Sequence, residues 1–225
     1  MPSPPRFTAT VVLNPGHNGG NADAATAIGR LVDSGFGQAK ACDTTGTQTN
    51  GTGYPEHAFA WDVALRARNV LQARGVRVIL TRSSDTGVGP CVDERARIGN
   101  RSGVAAVVSI HADGAPPDGH GFHVEECDRQ PAGPAVAAAS HRLSVAEHDA
   151  LLRGSGLTVS SYLGSEGYLK RDDLAGLNLA TVPATFLELG NMRNDGDAAL
   201  QTSPAGRQRL ADAVAAGILS WLAAR

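Results

Sequence analysis

Apolar runs that end in a chemically active residue recur three times along the chain. The runs are Thr8–Leu13, Val104–Ile110 and Thr181–Leu187, and the residues that follow them are His17, His111 and Glu188. Apolar, β-branched runs bounded by turn residues are typical of buried strands. Because ligands bind at the carboxyl ends of the strands in open α/β sheets, the pattern predicts that these three side chains meet at one sheet edge.

Helical periodicity is clearest in two segments. Glu56–Arg74 has apolar residues at helical spacings, with Pro55 before it and Gly75 after it. Proline and glycine are the residues favoured at the start and just past the end of a helix, respectively. Gly206–Ala224 repeats apolar residues every four positions. Both segments are therefore predicted to be amphipathic helices that pack one face against the sheet.

Shorter elements are predicted between these segments. The predicted strands are Val76–Thr81 and Gly121–Glu126. The predicted helices are Asp93–Asn100, Ala135–Leu152 with a break near Ser144, a helix that starts at Asp197–Leu200, and one or two turns within Ala22–Asp33. The predicted loops are Asp43–Tyr54 and Gly154–Arg171, and an extended piece follows Leu174. Strands that alternate with helices predict an α/β fold, a twisted, mostly parallel or mixed sheet flanked by helices on both faces. Because we find no repeat and no linker, residues 1–225 are expected to form a single domain.

Composition excludes two classes of partner. The chain has 225 residues and a formal net charge of −2, which leaves no electrostatic footprint for nucleic acid. No apolar run approaches the roughly 20 residues that span a bilayer. The first residues, Met1-Pro-Ser-Pro-Pro, are a short polar lead and not a signal peptide.

Three cysteines lie far apart in the sequence and form no CxxC pair, which argues against a cysteine zinc site. Cys42 and Cys91 both fall in predicted loops, where cysteines pair in oxidising compartments. We therefore expect a Cys42–Cys91 disulfide with Cys127 left as a free thiol. Three reduced cysteines in a cytosolic protein are the alternative interpretation.

Two histidines and one carboxylate form a common ligand set for catalytic zinc, with the fourth position left for water. His17 and His111 are the histidines at the predicted sheet edge. Glu56 is the candidate carboxylate because it begins a helix directly after a loop, from which its side chain can turn toward that edge. Two other interpretations stay open: Glu56 as an acid that stabilises the helix dipole, and His17 as a hydrogen-bonding loop residue.

Glu188 lies between two leucines, and a carboxylate is costly to bury without a partner. It is therefore expected either to bind a cation or backbone donors, or to act as an acid and base with a raised pKa. The other histidines are expected to lie outside the ligand set. His120 or His123 is placed to touch a bound molecule, His57 points elsewhere, and His141 and His148 are expected on the surface.

Five motifs in this order resemble the zinc-dependent N-acetylmuramoyl-L-alanine amidases, a cell-wall amidase family. They are Asn14–Gly20, Glu56 with Val63-Ala64 after it, Gly75–Arg82, Asp93–Arg95 running into Ser109–Asp113, and Pro183–Gly190 with Asn194 after it. The match extends from about Thr8 to the final helix. The alanine- and arginine-rich composition is most similar to a single-domain actinobacterial member.

The resemblance implies a set of roles. Zn²⁺ is held by His17, Glu56 and His111, and Glu188 is the catalytic residue. The substrate is peptidoglycan or a muropeptide, cleaved at the amide between N-acetylmuramic acid and L-alanine of the stem peptide. The implied protein is an exported, periplasmic or wall-associated monomer whose single catalytic domain has no separate wall-binding domain.

The chain departs from the family pattern at two places. The family usually has Asp where this chain has Asn14, and a neutral amide behind the ligands supports a neighbouring ligand less strongly than a carboxylate. The usual aromatic after Gly190 is replaced by Asn191-Met192-Arg193. Two alternatives stay open: a zinc carboxypeptidase-like enzyme, in which Arg171 would bind a terminal carboxylate, and a non-enzymatic wall-binding domain.

Overall fold

The computed structural model describes residues 6–225, and within them strands and helices alternate. The strands are β1 Thr10–Pro15, β2 Leu31–Gly35, β3 Gln38–Ala41, β4 Arg77–Leu80, β5 Val104–Asp113, β6 His123–Cys127, β7 Tyr168–Arg171 and β8 Ala184–Asn191. The α-helices are α1 Ala25–Gly29, α2 Glu56–Ala73, α3 Val92–Gly99, α4 Pro134–Gly154, α5 Ala175–Asn178, α6 Asp195–Thr202 and α7 Pro204–Ala223. A single 3₁₀ turn spans Gly19–Asn21.

Six of these strands form one sheet in the order β4-β1-β5-β8-β6-β7. Strands β4, β1, β5 and β8 run parallel, β6 is antiparallel to β8, and β7 is parallel to β6. Strands β2 and β3 form a separate antiparallel hairpin. The predicted mixed, mostly parallel sheet in a single α/β domain is therefore confirmed.

Alternate residues of the central strands face opposite sides of the sheet. Val11 and Leu13 lie in the larger core, which α2, α4 and α7 cover, whereas Val12 lies in the smaller core under α3 and α5. The apolar repeat of α7 is buried at Leu210, Val214, Ile218 and Leu222. Burial of each such side chain contributes about 1.5–3 kcal/mol, so α7 is anchored chiefly by its apolar face.

Four local predictions are wrong. The β2–β3 hairpin follows the short α1 where only helical turns were expected, β7 lies inside the predicted loop Gly154–Arg171, and α5 replaces the extended piece after Leu174. Helix α4 runs through Ser144 without a break. The Ser144 hydroxyl lies 2.9 Å from that of Thr185 on β8. Because its polar group is satisfied by the sheet, Ser144 has no need to cap a new helix.

Cysteines 42 and 91 form a disulfide with an S–S distance of 2.11 Å. It joins the end of the β2–β3 hairpin to the residue that precedes α3. Cys127, the last residue of β6, is free and half-buried. Over residues 6–225, every helix is too short or too polar to cross a membrane.

Candidate metal centre

Three elements bring His17, Glu56 and His111 together. His17 follows the end of β1, Glu56 is the first residue of α2, and His111 lies within β5. One ligand atom from each lies within 4.8 Å of the others. Oε1 of Glu56 is 3.1 Å from Nε2 of His17 and 2.9 Å from Nδ1 of His111. The three residues form the one such cluster of histidine, cysteine or acidic groups found within residues 6–225.

The Glu56 carboxylate is fixed at both oxygens. The Thr47 backbone N–H donates to Oε2 at 3.0 Å, and the Ala112 N–H donates to Oε1 at 3.3 Å. Burial alone would raise the pKa of Glu56, but His17 and His111 lower it below its ordinary value. Glu56 therefore holds a negative charge although its side chain is buried.

His17 is held from the side opposite Glu56. Its Nδ1–H donates to the carbonyl of Thr44 at 3.0 Å and lies 3.4 Å from Oδ1 of Asp43. Burial alone would lower the pKa of His17, yet Glu56 and Asp43 raise it to about 10. The carboxylates that surround this imidazole therefore strongly favour positive charge, so the donor set fits a cation with nitrogen and oxygen ligands.

The backbone at His17 is strained, with φ of +55° at a residue other than glycine. The buried guanidinium of Arg95 stabilises this turn by donating to the carbonyls of Pro15 at 2.7 Å and His17 at 2.8 Å. Arg95 also donates to Oδ2 of Asp43 at 3.0 Å. One arginine thus fixes both the ligand loop and the carboxylate behind it.

Asn14 acts on the ligands only through its neighbours. Its Oδ1 accepts from Thr81 at 2.7 Å and from Arg95 at 3.1 Å, and its Nδ2 donates to Ser109 at 3.0 Å. An amide can donate and accept at once, which a carboxylate cannot do. The structure gives Asn14 no hydrogen bond to a ligand side chain, so it supports the site by orienting Arg95.

Two glycines, which have no side chain, leave room for the candidate ligands. A Cβ atom on Gly16 would lie 2.1 Å from the imidazole of His111. A Cβ atom on Gly46 would lie 2.7 Å from both Glu56 and His17, and Gly46 has a φ of +76°. Any larger side chain at either position would collide with the donor set.

Glu188 lines the same cavity of about 380 Å³ as the three donors. Its backbone pairs directly with that of His111 on the neighbouring strand β5. Burial, with the charges of Glu56 and Glu125, raises the pKa of Glu188 well above its ordinary value. The cavity continues past Phe186 to β3 and α5, so the acid faces a groove and not a closed pocket.

Strand register corrects the idea that the reactive residues follow strand ends. His111 and Glu188 lie inside β5 and β8, which continue to Asp113 and Asn191. They still reach the cavity, because both side chains lie at the carboxyl-terminal ends of adjacent parallel strands. His17 alone lies beyond its strand, two residues after Pro15.

The other histidines lie outside the donor set. Their contacts are His57 with Asp85 at 2.9 Å, His141 with Glu126 at 2.9 Å, His120 with Thr158 at 3.3 Å and His123 with Glu125 at 3.3 Å. The surface prediction is wrong for His148, whose Nε2 bonds the Glu166 carbonyl and whose ring stacks on Tyr168. His148 lies on the buried face of α4, and the sequence pattern of this helix does not separate its buried face from its exposed face.

Sequence reasoning assigned no role to two residues that organise the centre, Asp43 and Arg95, although Arg95 lies within one of the five motifs. Contacts with His17 and Arg95 lower the pKa of Asp43 to about 2, although burial opposes the shift. The signal available in the sequence was position, because Asp43 is adjacent to Cys42 and Arg95 is four residues after Cys91. The disulfide between these cysteines brings the two charged residues together.

The family model and the relative that match this chain carry the same description. Residues 11–220 match the family model described as N-acetylmuramoyl-L-alanine amidase. The chain is similar to the N-acetylmuramoyl-L-alanine amidase Rv3717 of Mycobacterium tuberculosis, with 46% identity over 213 residues, 95% of this chain and 86% of that protein.

Two solved structures share this fold closely. The crystal structure of the N-acetylmuramyl-L-alanine amidase Ami1 from Mycobacterium smegmatis matches with a TM-score of 0.92 and 44% identity, covering 99% of this chain and 100% of that one. The apo form of Ami1 from Mycobacterium abscessus matches with a TM-score of 0.89 and 47% identity, covering 95% and 98%.

Proposed function

The chain belongs to the N-acetylmuramoyl-L-alanine amidase family, and on this premise we propose that it is a zinc-dependent peptidoglycan hydrolase. The bond cleaved is the amide between N-acetylmuramic acid and the L-alanine of the stem peptide. The observation that carries the proposal is the approach of His17, Glu56 and His111 to within 4.8 Å, in one cavity with Glu188. Three ligands and a nearby acid are the elements that metal-assisted amide hydrolysis needs.

The donor chemistry favours zinc over other cations. Two imidazoles and one carboxylate suit Zn²⁺ and leave a position for water, whereas Ca²⁺ and Mg²⁺ prefer sets made of oxygen alone. His17 also has the outer-shell support typical of zinc ligands, because its second nitrogen donates to the Thr44 carbonyl. A zinc ion bound by these residues would supply Lewis-acid chemistry, activating water and polarising the scissile carbonyl.

Glu188 moves the proton. As a carboxylate facing the cavity, it accepts a proton from the water that attacks the lactyl carbonyl carbon. It then gives that proton to the nitrogen of L-alanine as the carbon–nitrogen bond breaks, since an amine leaves poorly unless it is protonated. The raised pKa of Glu188 makes its carboxylate a stronger base than an ordinary carboxylate, which favours proton transfer from the attacking water.

The shape of the cavity supports a polymeric or branched substrate. The groove passes Phe186 and runs between β3 and α5, which gives an extended peptide room on one side of the ligands. The carboxypeptidase alternative loses its support, because the Arg171 guanidinium is already bound by Glu125 at 3.1 Å and Asp173 at 2.7 Å. That arginine is not free to bind a terminal carboxylate.

Disulfide and substrate point to the same place of action. A Cys42–Cys91 bond persists in oxidising compartments, and peptidoglycan lies outside the cytoplasm. We therefore infer that the protein acts in the periplasm or at the cell wall, in the remodelling or turnover of peptidoglycan.

The test compares zinc content with product identity. Purified protein is expected to hold one zinc per chain and to release intact stem peptides, with a free amino group on L-alanine, from muropeptides analysed by mass spectrometry. Glu188→Ala should keep its zinc and lose at least about 10⁴-fold in rate, the upper end for loss of an acid/base group, since it serves in two steps. His111→Ala should lose zinc and activity together.

Glu94→Ala provides the matched control, because Glu94 is an exposed glutamate on α3. It should retain zinc and rate. A zinc-free Glu188→Ala protein would make Glu188 a ligand, and a zinc-loaded, fully active one would overturn the proposed mechanism. Release of single terminal amino acids would replace the amidase with a peptidase.

A further inference from the structure

Next to Glu188 lies a group of buried polar side chains that the proposed mechanism does not use. His123 and Glu125 on β6 are each only 1% exposed. Both ring nitrogens of His123, Oε2 of Glu125, the Tyr162 hydroxyl and Oε2 of Glu188 have no hydrogen-bond partner in the described chain. A buried polar atom without a partner costs about 1–3 kcal/mol. Such atoms gathered beside a reactive carboxylate indicate a role in the working enzyme.

Strand register places His123 directly opposite Glu188. Strand β6 runs antiparallel to β8, with His123 paired to Glu188 and Glu125 paired to Phe186. Directly paired residues project from the same face of a sheet, with Cβ atoms about 4.5–5.5 Å apart. The His123 imidazole and the Glu188 carboxylate therefore project from one face of adjacent strands. Each has a buried atom without a partner, and no hydrogen bond joins the two groups in this structure.

On its far side the imidazole faces two charged residues, with Glu125 at ion-pair distance but without a hydrogen bond to the ring. Nε2 of His123 lies 3.3 Å from Oε1 of Glu125, and Nη1 of Arg171 on β7 lies 3.1 Å from the same oxygen. The Tyr162 ring packs edge-on against His123, with ring centroids 6.0 Å apart. Because Arg171 neutralises Glu125, the pair can fix the ring without placing a net charge beside Glu188.

We propose that His123, flanked by Glu125 and Arg171, is a positioning residue whose ring turns from its position in this structure to donate a hydrogen bond from Nδ1 to Oε2 of Glu188 in the working enzyme. The bond holds the inner oxygen and turns the other oxygen toward the scissile amide in the cavity. This inference rests on the proposed role of Glu188 as proton carrier. His123 does not line the cavity that contains the candidate ligands, so its proposed action runs only through Glu188.

The test begins with His123→Phe, which keeps a ring of similar size and removes both nitrogens. We expect kcat to fall about 10- to 100-fold, because a small misplacement of a catalytic group costs up to about 10²-fold. KM should stay within about twofold and zinc content should be unchanged. His123→Asn places an amide N–H near the Nδ1 position and should recover more kcat than His123→Gln, whose amide lies near Nε2.

A double-mutant cycle with Glu188→Ala separates positioning from general structural support. If His123 acts through Glu188, then His123→Phe should lower kcat no further in the Glu188→Ala background. The matched control is His148→Phe, a second buried histidine, which packs against Phe122 and Tyr168. It should keep kcat within about twofold.

The outcomes distinguish this inference from the proposed function. An active Glu188→Ala enzyme would refute the proton carrier itself. An inactive Glu188→Ala enzyme beside a His123→Phe enzyme of normal kcat, or an additional loss in the double variant, would refute the role of His123 alone. If His123→Phe does not fold, Arg171→Met replaces it as the test variant, because Arg171 is only partly buried and its substitution should be tolerated. A lower kcat at constant KM then supports the proposal, and an unchanged kcat overturns it.

Discussion

The aromatic ring of Phe186 lies stacked on the imidazole of His111, with centroids 4.2 Å apart and planes inclined by 19°. Two other residues also restrict the His111 ring. The His17 imidazole packs edge-on against it with centroids 5.0 Å apart, and its close contact with Gly16 leaves no room there for a side chain larger than hydrogen. The orientation of this candidate ligand is thus fixed by ring packing together with its contact to Glu56 at 2.9 Å. Metal sites are shaped in this way as much by the shell around the ligands as by the ligands themselves.

Removing the stacked ring should weaken metal binding without removing a ligand. Phe186→Ala is expected to lower zinc affinity about 10- to 100-fold, the usual range for loss of an outer-shell partner. Phe186→Leu retains apolar volume and should lose less. Competition of each purified variant with a zinc chelator measures the effect. Equal affinities for wild type and Phe186→Ala would show that His111 needs no support from the ring.

Glycine 46 offers a steric test of the same site. Gly46→Ala brings a Cβ atom to within 2.7 Å of Glu56 and His17. We expect zinc affinity to fall more than about tenfold, because the ligands must separate to admit a methyl group. Gly53→Ala is the control, since Gly53 also has a positive φ, +63°, but faces open space.

The control substitution should carry only the backbone cost of about 1–2 kcal/mol. Its melting temperature should therefore fall while its zinc affinity stays that of the wild type. If both alanine variants bind zinc equally well, the close approach of Gly46 to the ligands has no consequence.

Long, periodic segments made much of this fold predictable. The strands that carry His17, His111 and Glu188, and the helices α2 and α7, bury enough apolar surface for their pattern to be visible in the sequence. Elements whose existence depends on distant partners were missed. Strand β7 has four residues and is ordered by pairing with β6, and the β2–β3 hairpin is tied to the domain by a disulfide.

Chemistry was predictable only where residue type restricts it. Two histidines and a glutamate have few roles in common, so their convergence could be anticipated. Arg95 pairs with Asp43, and His123 lies opposite Glu188 in the sheet; these partners lie far away in the sequence, and nothing local indicates either relationship. Burial of charged residues is decided by the tertiary fold, which a single sequence does not encode in a local pattern.

The disulfide should stabilise both the fold and the ligand loop. It closes a separation of 49 residues, which in the chain-entropy model contributes about 4 kcal/mol. The double substitution Cys42→Ser and Cys91→Ser should lower the free energy of unfolding in urea by up to this amount. Zinc affinity should also fall, because Asp43 and Thr44 follow Cys42 and hold His17.

Thiol counting provides the accompanying measurement. Denatured, non-reduced protein from an oxidising compartment should show one free thiol, that of Cys127. Cys127→Ser should leave the unfolding free energy nearly unchanged. Three free thiols in such a preparation would contradict the disulfide.

Glu147 presents a different kind of buried acid, one with no part in the site. It lies on α4 against α7, where a Cβ atom on Gly217 would be only 2.5 Å from its Oε2. Neither carboxyl oxygen has a hydrogen-bond partner among the described residues, and burial raises the pKa of Glu147 well above its ordinary value. The carboxyl group is therefore protonated in the folded protein at pH values where it is ionised in the unfolded chain.

This difference makes stability depend on pH. Above the unfolded pKa of about 4.3, the native state binds more protons at Glu147 than the unfolded state does, so the free energy of unfolding falls as pH rises toward the native pKa. Glu147→Met, of similar length and without charge, should remove this slope and stabilise the protein by about 1–3 kcal/mol near neutral pH. Glu147→Gln should remove the slope but keep the cost of a buried polar group.

Urea unfolding of wild type, Glu147→Met and Glu147→Gln from pH 5 to 8 provides the measurement, with Glu94→Gln at an exposed position as the control. The difference in stability between Glu147→Met and wild type should widen with pH. A constant difference would mean that Glu147 ionises at its ordinary pKa and that the contact between α4 and α7 admits water.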